Sequence, residues 1–64
     1  MTLYTLYEVY KDCRLVVVAN DTLVSELKKQ AGGHPVFHWK WVGDEEHLLS
    51  ASGKPIYIIK KNNP

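Results

Sequence analysis

The stretch HPVFHWKWVGDEEH, His34 to His47, places Phe37, Trp39 and Trp41 within five positions and then turns acidic. Its geometry decides the fold. As a strand over Val36 to Val42 it puts Phe37, Trp39 and Trp41 on one face, with Val36, His38, Lys40 and Val42 on the other. As a helix entered through a tight turn at residues 32–35, with Pro35 pre-set for the first helical turn, it re-sorts those faces. His34, Phe37, His38 and Trp41 then gather on one side and Val36, Trp39 and Lys40 on the other. Phe37 and Trp41 become core anchors one turn apart, leaving Trp39 and Lys40 turned outward. Propensity favours the strand, because valine and the aromatics are strand-rich and the segment is short for a helix. Context favours the helix: a first helix ending in glycine, a turn and a short second helix is a helix-turn-helix layout, and ELKKQAGGHPVFHWKWV, Glu26 to Val42, has that length.

On the amino-terminal side, YTLYEVYKDCRLVVVA, Tyr4 to Ala19, holds two β-rich runs broken by a polar KDCR, which predicts a hairpin. A turn centred on Asp12 and Cys13 pairs Tyr10 with Leu15, Val9 with Val16, Glu8 with Val17 and Tyr7 with Val18, leaving both faces largely apolar. A three-residue or bulged turn is the alternative, since a tight hairpin prefers Gly or Asn where Cys13 stands. NDTLVSELKKQAGG then predicts a short amphipathic helix. Asp21 or Thr22 is its N-cap, Leu23, Val24, Leu27 and Ala31 form its apolar face, and Gly32 and Gly33 end it. Lys28 and Lys29 sit near its carboxyl end, where the helix dipole favours cations.

Beyond the aromatic stretch, GDEEHLLS predicts one or two helical turns capped by Asp44, with Glu45 and Glu46 in the first turn and Leu48 or Leu49 over the core. KPIYIIKKNNP predicts a carboxyl-terminal strand that joins the hairpin, with Ile56 and Ile58 on one side and Tyr57 and Ile59 on the other. Lys60 and Lys61 read as an edge guard.

Composition bounds the function. The 64 residues make one small domain, and a domain of this size buries only about 60% of the surface its unfolded chain exposes, so dimerisation or partner binding would help it. Cys13 is the single cysteine, which excludes an internal disulfide and points to a reducing, cytoplasmic setting. No basic-plus-apolar leader opens the chain and no stretch approaches the ~20 apolar residues of a bilayer span, so neither export by a standard signal nor a membrane role is expected. Eight Lys and Arg against seven Asp and Glu give a formal charge of +1, so only local patches could bind nucleic acid.

Chemistry is sparsely provided. His34 and His38, four apart, could hold a zinc ion on a helix with His47, Cys13 or an acid of DEE completing the set, but no second pair of ligands is clustered, and no metal is expected. No Gly-rich phosphate loop or oriented nucleophile is present, so neither catalysis nor a cofactor is expected. Ser50, Ser52 and His47 fall in or beside an ordinary SASGKP loop.

The YEVYKD and LVVV hairpin, TLVSEL, a helix ending in glycine and the closing GKPIYIIKK together resemble short reading frames of phages and prophages of Gram-positive bacteria. That group is similar in layout to the modular DNA-binding segments of some homing nucleases, in which a β-hairpin precedes a compact helix-turn-helix. The resemblance spans about Tyr7 to Lys61. Three positions depart from it: Lys28 stands where alanine is usual, His38 where an apolar residue is, and Gly33 where an aliphatic turn residue is. It implies an α+β chain of N-terminal β-hairpin, short helix, helix-turn-helix-like second helix (or third strand) and C-terminal strand. It also implies that His34, Val36, Lys40 and Trp39 face a groove, with Lys28 and Lys29 near the phosphates. On this basis the expected function is a small phage-type regulatory DNA-binding protein in the host cytoplasm, better as a homodimer. The rival is a host-takeover or inhibitor module on a β-grasp-like fold, acting by protein contact through Trp39 with Tyr4, Tyr7 or Tyr10 as anchors.

Overall fold

Alternating apolar positions build most of this protein into strands. The computed structural model describes residues 2–32 and 38–62. These form β1 (Leu3–Val9), β2 (Leu15–Asp21), α1 (Val24–Ala31), β3 (His38–Val42), β4 (Glu45–Leu49) and β5 (Pro55–Asn62). The five strands make one sheet in the order β2-β1-β5-β4-β3, and every neighbouring pair is antiparallel. The last strand is therefore central, between β1 and β4. Helix α1 lies on one face, over β1, β2 and β5.

This is a small, mostly-β fold, and it corrects the helix-turn-helix-like α+β layout. Residues His38–Val42, expected in a second helix, are a strand. The physical reason lies just beyond them. Val42 pairs with Glu45, so Gly43 and Asp44 form a two-residue hairpin loop. Gly43 has φ +65° and Asp44 does not share the positive φ, the pattern of a type II′ turn, whose twist suits the strands it joins. The predicted GDEEHLLS helix is corrected with it. Glu45–Leu49 is a strand, with Glu46 and Leu48 buried toward α1 and Glu45, His47 and Leu49 half-buried on the far side.

The amino-terminal hairpin forms, with its register one residue off expectation near the turn. Val9 pairs with Leu15, Glu8 with Val16 and Tyr7 with Val17. The cause is a three-residue loop. Tyr10 N donates to Arg14 O at 2.9 Å and Cys13 N to Tyr10 O at 2.9 Å, with Cys13 in the left-handed region at φ 66°. A bulge between Leu6 and Tyr7 then absorbs one residue of β2, so Leu6 pairs with Ala19 and the expected register returns. Without that bulge, Ala19 and Asp21 would turn to the wrong face.

The β4–β5 connection repeats the same turn. Ser50 N donates to Lys54 O at 2.8 Å, Gly53 N donates to Ser50 O at 2.9 Å, and Gly53 has φ 84°. Cys13 thus occupies the position that glycine holds in the second copy of the turn. A non-glycine residue in the left-handed region costs about 1–2 kcal/mol, partly offset by the extra freedom glycine adds to the unfolded chain. Cys13→Gly is expected to stabilise the protein by about 0.5–1 kcal/mol, read as a higher urea midpoint at unchanged slope.

One cluster forms the core. Leu27 and Ala31, one turn apart on α1, meet Leu6 of β1, Ile59 of β5 and Leu48 of β4. The helix start differs from expectation: Leu23 is the cap residue and offers no side-chain bond, while Asp21 Oδ1 accepts from Leu23 N at 3.0 Å and turns the chain into the helix. Gly32 ends it as expected, with φ 87° and its N–H bonded to Lys29 O. The expected carboxyl-terminal strand is β5, and it joins the hairpin. On the far face Thr5 Oγ1 donates to Asn20 Oδ1 at 2.6 Å and accepts from Asn62 Nδ2 at 3.2 Å, linking β2, β1 and β5.

Candidate functional site

Because α1 covers β1, β2 and β5, no helix among the described residues lies over the helix-side face of β3. β3 is also an edge strand, and among the described residues nothing pairs with its outer side. Register then sets which backbone groups that edge presents. In a two-residue hairpin the pair flanking the turn, Val42 and Glu45, exchanges hydrogen bonds, and bonded and non-bonded pairs alternate from there. Lys40 with His47 and His38 with Leu49 are bonded pairs. Trp39 and Trp41 fall in the non-bonded pairs, so their N–H and C=O groups point outward. The same two residues therefore carry the free edge groups and the indoles.

The two indoles differ. Trp39 is half-buried and packs against the core cluster, whereas Trp41 is 64% exposed. Behind them lies a charged pair: Lys28 Nζ of α1 sits 2.7 Å from Glu46 Oε2 of β4 and 5.4 Å from the centre of a Trp39 ring. Glu46 stands opposite Trp41 in the β3–β4 ladder and is 7% exposed, so Lys28 neutralises a carboxylate that has little access to water.

The far face of this edge carries the Lys40 ammonium. His38 and Lys40 are exposed there. The nearby acid, Glu45, is already engaged, by His47 Nε2 at 3.0 Å and Lys60 Nζ at 3.6 Å. The His47 hydrogen bond, helped by the charges of Lys60 and His47, holds the Glu45 carboxyl below its ordinary range against a smaller opposing effect of burial. Lys60 also lies 5.7 Å from the Tyr7 ring centre.

Of the residues expected to form one surface, His34 and Val36 lie outside the described residues. Trp39 and Lys40, placed together on a helix, are on opposite faces of β3, because neighbours on a strand point apart. Lys28 does meet Trp39, but its ammonium is held by Glu46. Lys29 is exposed and lies 3.4 Å from Glu26 on its own helix. Trp41, expected as a core anchor, is the most exposed of the large apolar side chains among the described residues. Its location follows from β3 being at the sheet edge beyond the helix, which no local pattern encodes. Among the described residues there is no group of three or more His, Cys, Asp or Glu placed to hold a metal, and no helix long and apolar enough to cross a membrane. In comparisons with known proteins, no family model matches the sequence, and no curated protein or solved structure matches it either.

Proposed function

We propose that this chain is a binding module that acts by protein contact, with β3 as its contact edge and Trp41 as its anchor. The observation that carries the reading is a tryptophan 64% exposed on an edge strand whose outer backbone groups have no partner among the described residues. Leaving an indole in water forgoes the stabilisation that burying its large apolar surface brings, and tryptophan is among the residues that dominate binding energy at interfaces. On the resemblance to phage reading frames, the partner is a host protein. Protein contact is favoured over groove reading by a second helix because residues 38–42 are a strand and Lys28 and Lys29 both face carboxylates.

Trp41→Ala tests the reading. Because the side chain is mostly in water, folding stability should change by no more than about 0.5 kcal/mol. Affinity for a partner captured from host lysate should fall by about 30-fold or more, equivalent to about 2 kcal/mol. Retention of that partner by the Trp41→Ala protein, or its displacement by duplex DNA, would contradict the proposal.

A further inference from the structure

The spacing of groups along β3 specifies more than a generic contact. The residues presenting outward N–H and C=O groups, Trp39 and Trp41, flank Lys40, whose side chain points to the opposite face. A strand adding to this edge would exchange hydrogen bonds with both tryptophans. Its residues at those two positions would then lie against the indoles, and the residue between them would lie directly across from Lys40.

Each of those positions has its own chemistry. On the indole side, the nearby charges are already matched, Lys28 with Glu46 at 2.7 Å, so an apolar side chain fits best. On the other side, Lys40 is exposed, makes no ion pair among the described residues, and shares its face with exposed His38. The acid nearby, Glu45, is held by His47 and Lys60. An incoming carboxylate across from Lys40 would complete a cross-strand ion pair. A second copy of this chain fits poorly: β3 paired antiparallel with itself over its full length, His38–Val42, sets Lys40 directly against Lys40 of the second copy.

We propose that β3 accepts an extended segment of a partner protein as a sixth strand, and that this segment reads apolar–acidic–apolar, with the acid opposite Lys40. The proposal rests on the reading of β3 as the contact edge and adds to it the mode of binding and the chemistry of the partner.

Short capped peptides with a valine–glutamate–valine centre, added to the isotopically labelled protein, provide the test. The backbone amides of Trp39 and Trp41 should shift and gain exchange protection. A peptide with lysine in place of the glutamate should bind about tenfold more weakly, and Lys40→Glu should reverse that preference, as expected for exchanging opposite for like charges across a strand pair. N-methylation of both valine amides should abolish binding. Equal affinity for the acidic and basic peptides would overturn the proposed partner chemistry while leaving the contact edge in place. Undiminished binding of the methylated peptide, or shifts confined to other strands, would overturn strand addition at β3 itself. Concentration-dependent shifts of the Trp39 and Trp41 amides without peptide would show that a second copy takes the edge, and would overturn the proposal in favour of self-association.

Discussion

Leu6→Ala should leave the protein largely unfolded under mildly denaturing conditions that the parent chain withstands. Leu6 is fully buried, flanked in the sheet by Ala19 and Ile59, and belongs to the core cluster with Leu27 of the helix. Truncating a leucine at such a site removes the transfer energy of its methyl groups and leaves a cavity, at a cost of about 2–5 kcal/mol. A folded domain holds about 0.05–0.15 kcal/mol per residue, so this loss takes a large share of the whole stability. The same truncation at Val17, 56% exposed on the edge strand β2, should cost no more than about 0.5 kcal/mol. Urea midpoints for the two variants make the comparison. A Leu6→Ala cost no larger than that of Val17→Ala would mean that α1 does not seal this face of the sheet.

The second large effect comes from a charge. Lys28→Met keeps a long side chain beside Trp39 but leaves the Glu46 carboxylate, 7% exposed, without the ammonium that stands 2.7 Å away. Stranding a fully buried charge costs about 3–5 kcal/mol; the Lys28 side chain is 34% exposed, so water screens part of this, and about 1–3 kcal/mol is expected. Removing the stranded charge as well, in Lys28→Met with Glu46→Met, should recover most of the loss, because apolar replacement of a buried pair is often neutral. A double-mutant cycle in urea reads both numbers. A coupling near zero would place the pair with ordinary surface ion pairs.

These two sites also show where the sequence was readable. The hairpin, the helix face of Leu27 and Ala31, its glycine stop and the terminal strand follow from local patterns: period two, period near four, and glycine at a helix end. The register slip in β1–β2 was not legible, because choosing between two- and three-residue loops depends on whether Cys13 accepts φ 66°, a cost that the rest of the sheet offsets. The aromatic stretch is ambiguous for a different reason. HWKWV has strand propensity, and Gly43-Asp44 before a β-compatible run is a hairpin signal, but a glycine-ended first helix equally suits a second helix after it. Once β3 and β4 are a hairpin, Glu46 and Leu48 fall on one side and Glu45 and His47 on the other, as strand alternation requires. What remained out of reach was long-range. The insertion of β5 between β1 and β4, which puts β3 at the edge and bares Trp41, depends on contacts between residues far apart in the chain.

The fold and the contact edge both require β3 to be a strand with a free outer edge, and hydrogen exchange of its individual amides measures both properties at once. The Lys40 amide, bonded across to His47, should be protected, while the amides of Trp39 and Trp41 on either side should exchange far faster. That alternation would support the free edge. Continuous protection from Trp39 to Trp41 would instead mean a helix or an edge already covered, and would contradict β3 as an open contact edge.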